Sequence, residues 1–405
     1  MNFTLLIVGA DANAYYMARC YHELTNKKAY LIAQNPIWIT DESNITIMKY
    51  NKKLHDEKIL LEELNNFYQE HQKEKILLVS ATENYIELIS KNKEKLKTKF
   101  YFNYADVDII HTLSNKEDFY KKYMDNEFIK LPKTIYYNTK SKKEPQVTFS
   151  YPIIIKAANV VLYRSLHFPN QNKIYKVNNK EELNSVINDI RNGGYLDTLI
   201  IQEYIEGDDS TLFDSVIYAD TKGKVKRISF AQIGLQEHKK DLVGNAAVLI
   251  NGYNLYDNNN DIIERIKNFA EYIGITGFAE FDLKYDKKAK DFKLLEINPR
   301  QGRSSYYLTG LGCNLIELLK KDLIDKEKLD YQILDKEVIL SYVPKGIIKK
   351  YIVNNKYKEK ALSLYKEHIN PIAYNKDLSL KRRYLLFRKS LRYYNDYKNG
   401  YWTNK

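Results

Sequence analysis

Residues 294–309, LLEINPRQGRSSYYLT, decide how this chain is read. Glu296 and Asn298 stand two apart in a β-rich run, and the two-residue period of a strand puts both side chains on one face. Upstream, GFAEFDLKYD (277–286) carries Asp282 in the middle of a second such run, and the intervening DKKAKD has the composition of a turn. The pair reads as a β-hairpin. Two carboxylates and an amide oxygen gathered on its face form an all-oxygen donor set, which suits magnesium bridging to nucleotide phosphates. Arg300 and Arg303 follow at once, with forked, permanently charged donors fitted to phosphoryl or carboxylate oxygens. The competing reading is an exposed hairpin with solvated charges. The ordered succession of Asp282, Glu296, Asn298 and Arg300 favours a site.

At these residues the chain resembles the ATP-grasp superfamily and, within it, the D-aspartate ligases that build peptidoglycan cross-bridges. The resemblance runs through GADANAYYMAR, the stretch from ENYIELIS to Phe119, EYIEGDDS, GFAEFDLKYD and EINPRQGRSSYYLT, and fades after about residue 330. It implies an α/β chain, α+β in the ATP-grasp lobes: a Rossmann-like substrate domain over 1–112, lobe A over 113–197, lobe B with the metal site over 198–330, and a basic C-terminal extension over 331–405. It also implies ATP and magnesium, with two ions, as cofactors. Asp282, Glu296 and Asn298 are then the metal ligands. Lys116 and Lys156 reach the phosphates, main-chain groups of Glu203 and Ile205 meet the adenine edge, and Asp209 takes the ribose hydroxyls. Arg300 and Arg303 are the catalytic arginines, and Arg303 and Ser304 are candidates for gripping the amino-acid substrate. The chain departs from the superfamily in AANVVLYRSLHF, which lacks the usual glycine-rich phosphate loop.

The residues support parts of this independently. Lys116 follows Ser114 or Asn115, either of which can cap a helix, so it sits in a first turn where the helix dipole disfavours a cation. Lys156 ends the apolar run YPIIIK and must reach water or an anion. TLIIQEYIEGDDS is an apolar strand running into acids and a glycine, which as a plain sequence is also an acidic turn or a GDD cation site.

At the start, an apolar run breaks at Gly9 and NAYYMARCYHEL reads as a helix with Asn13 as N-cap. Asp11 and Asn13, at the strand's carboxyl end, are candidates for a substrate-side wall, with simple capping as the alternative. Further units follow: a helix near 57–71, the strand KILLVS, a helix from Glu83 to about Lys97, and a short strand KFYFNY. Such alternation predicts a parallel sheet with helices on both faces. AQIGLQEHKKDLVGNAAV (231–248), with two glycines and little periodicity, reads as a loop closing over the site. His238 within it is read as a surface residue.

With 405 residues the chain has room for two or three domains, and 44% hydrophobic against 29% charged residues is ordinary for a globular protein. Cys20 and Cys313 form no disulfide framework or metal cluster, so a reducing cytoplasm is the expectation. Neither a signal peptide nor a membrane span is expected. The net charge of +12 is concentrated in the tail, where residues 371–405 hold nine Lys/Arg against two Asp. Within it Leu380, Tyr384, Phe387, Leu391 and Tyr394 recur as one helical stripe. This predicts a helix docked on the body, with contact at the inner face of the membrane, or a clamp for phosphorylated substrate, as the other readings. No nucleic-acid recognition motif accompanies the charge.

The chemistry these parts fit is amide formation from a carboxylate and an amine, driven by phosphorylation of the acid. The resemblance supplies D-aspartate, joined through its β-carboxylate, and the L-lysine side-chain amine of a peptidoglycan stem-peptide precursor. A ligase for another acid or amine is the nearer alternative. A non-catalytic nucleotide-binding module, with its basic tail on membrane or nucleic acid, is the more distant one.

Overall fold

The computed structural model describes residues 3–80, 82–141, 143–239, 242–256 and 259–400. Lys240 of the expected closing loop and Lys405 of the tail lie outside these. The first apolar run is strand β1 (Phe3–Val8), buried throughout. It pairs in parallel with β2 (Ala29–Ala33) and, further along the chain, with β4 (Lys75–Ser80), while β3 (Thr46–Tyr50) flanks β2. Gly9, at φ 128°, makes the turn after β1 that a side chain would resist. Beyond it the Asp11 carboxylate accepts from the Asn13 and Ala14 amides, both at 3.0 Å, and caps the helix Ala12–Thr25. Asp11 is therefore the cap, and Asn13 already lies inside the first turn. KFYFNY is not a strand either. Tyr101 makes a single bridge to Leu77, and Asn103 then turns away, donating to the Ala219 carbonyl at 3.0 Å in another sheet. The helix expected from Glu83 to about Lys97 is interrupted at Asn92.

The second sheet is antiparallel and runs in the order β5 (Thr134–Asn138), β8 (Thr198–Glu203), β6 (Ile153–Ala157), β7 (Tyr175–Val177). Strand β8, expected at the start of lobe B, thus pairs with the strands of lobe A. The third sheet is the largest. Strands β9 (Leu212–Ala219) and β10 (Val225–Ser229) form a hairpin across the turn at Asp220–Gly223. Next come β11 (Ala231–Gln236) and β12 (Ala246–Asn251), then the hairpin β13 (Gly277–Asp286) and β14 (Asp291–Asn298). The sheet order is β14-β13-β9-β11-β12.

The expectation of a closing loop over 231–248 is corrected here. Residues Ala231–Gln236 and Ala246–Asn251, at the two ends of that stretch, are paired strands inside the sheet. Apolar clusters cover this sheet on both faces, so β11 and β12 are buried almost throughout and show no alternation. Gly234 is there for packing: a Cβ would lie 1.9 Å from the Tyr357 ring.

After residue 330 the chain returns to the same sheet. Strand β15 (Gln332–Leu334) lies parallel to β10, and β16 (Val338–Ser341) antiparallel to β12. The terminal helix Leu380–Lys398 docks, as expected, but with the opposite face. Arg382, Tyr393 and Tyr397 are buried, whereas the whole apolar stripe is exposed. Arg382 explains the choice. It donates to the Ile39 carbonyl at 2.7 Å and the Ile372 carbonyl at 3.2 Å, pairs with Asp377 at 3.3 Å and lies 4.1 Å over the Tyr15 ring. Replacing Arg382 with Ala strands the buried Asp377 carboxylate and should cost about 3–5 kcal/mol. Chemical denaturation read by near-UV dichroism measures that loss.

Candidate active site

Register across three strands builds the site. Asp282 of β13 stands opposite Asp214 of β9 on one side and Glu296 of β14 on the other, and Glu280 stands opposite Asn298. The period of two turns all of them to one face. Asn298 donates to the Asp282 carboxylate at 3.3 Å. Burial, then the charges of Glu280, Glu296 and Asp214, push the Asp282 carboxyl well above its usual range. Burial would raise Glu296 too, but the nearby ammonium groups of Lys116, Lys173 and Lys156 outweigh it and hold this carboxyl low. Lys116, in the first turn of the helix Lys116–Tyr123 capped by Asn115, pairs directly with Glu296.

Asp282 and Glu296 of this row line a cavity of about 530 Å³, a size that takes a nucleotide. Lys116, Lys156, Glu203, Ile205, Asp209, Asp282 and Glu296 all line it. Lys156 projects from β6, with its ammonium 3.4 Å from the Tyr120 hydroxyl, and burial followed by the charge of Lys116 lowers it to about 7. The Glu203 carboxylate is tied to the Lys293 ammonium at 2.6 Å and the Lys133 amide at 2.8 Å, so its main chain is what borders the cavity. Asp209 accepts from the Gln236 amide at 2.8 Å and side chain at 2.7 Å, and burial raises its carboxyl.

The arginine segment is not among the cavity's lining residues but adjoins the acid row, with Arg300 3.5 Å from the Asn298 side-chain oxygen, between the large sheet and the N-terminal sheet. Arg300 bonds Glu83 at 3.0 Å, Gln301 donates to the Ser80 carbonyl at 2.8 Å, and the Tyr16 hydroxyl donates to the Gly302 carbonyl at 2.6 Å. A Cβ on Gly302 would strike the Glu280 carboxylate at 1.7 Å. Arg303 pairs with Glu237 at 2.5 Å and lies 4.3 Å over the Tyr342 ring, while the Tyr393 hydroxyl donates to the same Glu237 oxygen at 3.1 Å. Arg300 Nε and Arg303 Nη1 are buried N–H groups with no acceptor among the described residues, and such groups call for an anion or a water. Of the remaining candidates, Asp11 is occupied as a cap, its carboxyl raised by burial against the pull of Arg300 and Arg303. Asn13 is buried. The Ser304 hydroxyl is held between Asp214 at 2.5 Å and Glu280 at 2.7 Å, inside the wall.

The expected magnesium can be tested against these donors. Among the described residues no three His, Cys, Asp or Glu side chains group as a metal site. The set proposed from sequence is two carboxylates and an amide, and it fits: oxygen donors on one face, beside buried acids whose accumulated negative charge calls for a cation.

Sequence reading missed four residues. Lys173 lines the cavity, donates to the Val243 carbonyl at 2.9 Å and adds to the charge on Glu296. Its signal was the β6–β7 register, since Tyr175 pairs with Ile155 next to Lys156. Lys284 shares the face of Asp282 two residues on, and burial lowers it to about 8. Glu83 and Glu237 carry no local pattern. His238, read as surface, is buried and stacks on Tyr397 at 4.1 Å.

A parallel N-terminal sheet, two antiparallel lobes and a nucleotide-sized cavity over a β-hairpin of acids define the ATP-grasp class. Solved structures agree. An L-amino acid ligase from Bacillus licheniformis superposes with a TM-score of 0.57 at 15% identity, covering 79% of this chain and 74% of that one. N5-carboxyaminoimidazole synthetase from Staphylococcus aureus gives 0.58 at 14% identity, covering 84% and 83%. No family model matches the chain. A D-aspartate ligase from Enterococcus faecium (strain Aus0004) is 30% identical over 398 residues, 95% of this chain and 93% of that protein. The chain belongs to the D-aspartate ligase family of ATP-grasp enzymes and is an ATP-dependent carboxylate–amine ligase.

Two measurements probe the geometry. With burial lowering Lys156 to about 7, a phosphate held by its ammonium should be bound more weakly as pH rises above about 7, so ATP affinity is expected to fall there. Calorimetry at pH 8 should show proton uptake on binding, and Lys156→Met should remove both the uptake and the pH dependence. Glu237→Gln leaves Arg303 with a neutral partner. We expect kcat/KM for the carboxylate substrate to fall roughly ten- to a hundredfold, with KM for ATP unchanged, in steady-state ADP release.

Proposed function

We propose that this enzyme joins the β-carboxylate of D-aspartate to the side-chain amine of L-lysine in a peptidoglycan stem-peptide precursor, in the cytoplasm. The choice of substrates rests on similarity to the Enterococcus faecium ligase. The chemistry rests on one observation above all: cavity lysines converge on Glu296 at one end of the acid row, while two buried arginine N–H groups lack acceptors nearby.

Asp282, Glu296 and Asn298 would hold magnesium, as two ions, which when bound neutralises charge on the β- and γ-phosphates. Lys116, Lys156 and Lys173 set the phosphates at the end of the cavity, and the main chain at Glu203 and Ile205 borders the base. A carboxylate oxygen of the acid attacks the γ-phosphorus and ADP leaves, giving an acyl phosphate. Arg300 faces the charge that gathers on the migrating phosphoryl group. Arg303, held by Glu237, binds the acid. The lysine amine then attacks the acyl carbon, phosphate departs, and the amide remains. The N-terminal domain, which contributes Glu83 and Ser80 to the arginine segment, helps position the acid or the acceptor.

ADP release should be assayed with D-aspartate, L-aspartate and other acids in the presence of UDP-linked stem peptide. Turnover confined to D-aspartate supports the assignment, turnover with another acid redirects it within the same chemistry, and no turnover with any acid refutes it. Glu296→Gln should reduce ADP formation by about a hundredfold or more with an unchanged circular dichroism spectrum. A fully active variant would falsify the metal assignment.

A further inference from the structure

The helix Leu380–Lys398 presents two contrasting faces. Its inward face carries Arg382, Lys389, Tyr393 and Tyr397, with Lys389 over the Tyr342 and Tyr393 rings. Its outward face carries Leu380, Tyr384, Phe387, Leu391 and Tyr394, which are 87%, 59%, 60%, 53% and 46% exposed. Burial of apolar side chains is the main force that docks a helix, yet here the apolar residues are the ones left in solvent. At a helical twist of about 100° per residue they fall within an arc of about 80°, along some 20 Å of helix.

The charge around this stripe is of one sign. Arg383 borders it on one side, Lys381, Arg388 and Arg392 border it on the other, and Lys398 lies beyond its end. Lys381 reaches Glu42 at 2.6 Å and Arg392 is 3.7 Å from Asp396, yet no exposed residue of the helix is acidic. The neighbouring helix Lys345–Tyr351 adds exposed Lys345, Lys349 and Lys350, and it lies close enough that a Cβ on Gly346 would stand 2.6 Å from the Tyr394 hydroxyl. Among the described residues no helix is long and apolar enough to cross a membrane.

We propose that this face docks on an anionic lipid surface, with Leu380, Phe387 and Leu391 entering the headgroup–acyl boundary. Tyr384 and Tyr394 keep their hydroxyls at the polar level, and the flanking cations meet lipid phosphates. A uniformly positive border matches a uniformly negative plane. The same border on a second copy of the chain would repel it.

Co-flotation of the full-length enzyme with vesicles tests this. Vesicles of phosphatidylcholine containing about one-third phosphatidylglycerol should bind roughly tenfold or more tightly than phosphatidylcholine alone, and salt should weaken the binding. Phe387→Glu combined with Leu391→Glu should abolish most of it while leaving thermal melting and ADP release unchanged. The proposal is overturned by absence of binding to the anionic vesicles, by equal binding to neutral ones, or by binding that survives the double substitution. It is equally overturned if the double substitution disrupts a dimer, or binding to an acidic protein, without affecting the vesicles.

Discussion

The contact between Lys116 and Glu296 is the constraint on which the rest of the site depends. A lysine in the first turn of a helix is opposed by the backbone dipole, and a row of buried carboxylates is opposed by its own repulsion. Each corrects the other. Helix and hairpin come from distant parts of the chain, so one ion pair ties together two of the elements that line the cavity. The same pair sets the local charge: Lys116, Lys173 and Lys156 hold the Glu296 carboxyl low against its burial, while burial, and then the charge of Lys116, lowers Lys156 to about 7.

Much of this was legible in the sequence because it lies on a hairpin. Asp282, Glu296 and Asn298 stand on strands with a turn between them, and the ladder places Asp282 and Glu296 directly opposite each other. Legibility failed where burial is two-sided. Strands β11 and β12 have apolar packing on both faces, so the alternation that marks a strand is missing, and Gly234 suggested a loop when its purpose is to admit the ring of Tyr357. The terminal helix shows a different failure. Its period was readable, but the buried face is held by Arg382 and tyrosine hydroxyls, and a hydrophobic stripe says nothing about such contacts. Glu237 was invisible for a related reason, since its partners Arg303 and Tyr393 are remote in sequence.

The arginine segment joins the two halves of the molecule. Gln301 and Arg300 fasten it to the carboxyl end of β4 and the helix beyond, Tyr16 fastens Gly302 to the first helix, and Arg303 is secured from the other side by Glu237. The arginines proposed to meet the acid are thereby held by elements outside the hairpin of Asp282, Glu296 and Asn298. On that proposal, changes around Glu83 and Ser80 should alter the choice of acid while leaving the nucleotide cavity as it is.

The burial of Arg382 has a bearing on how the polypeptide is made. Its guanidinium completes the environment of Tyr15 and Ile39 in the first domain, and Tyr393, eleven residues further on, steadies Glu237 beneath Arg303. The interior around Tyr15 and Ile39 is therefore finished only when a segment 343 residues further along the chain packs against it. A fragment ending before the helix Leu380–Lys398 would keep the strands that line the cavity, yet lack the groups that close the interior around Tyr15 and brace Glu237.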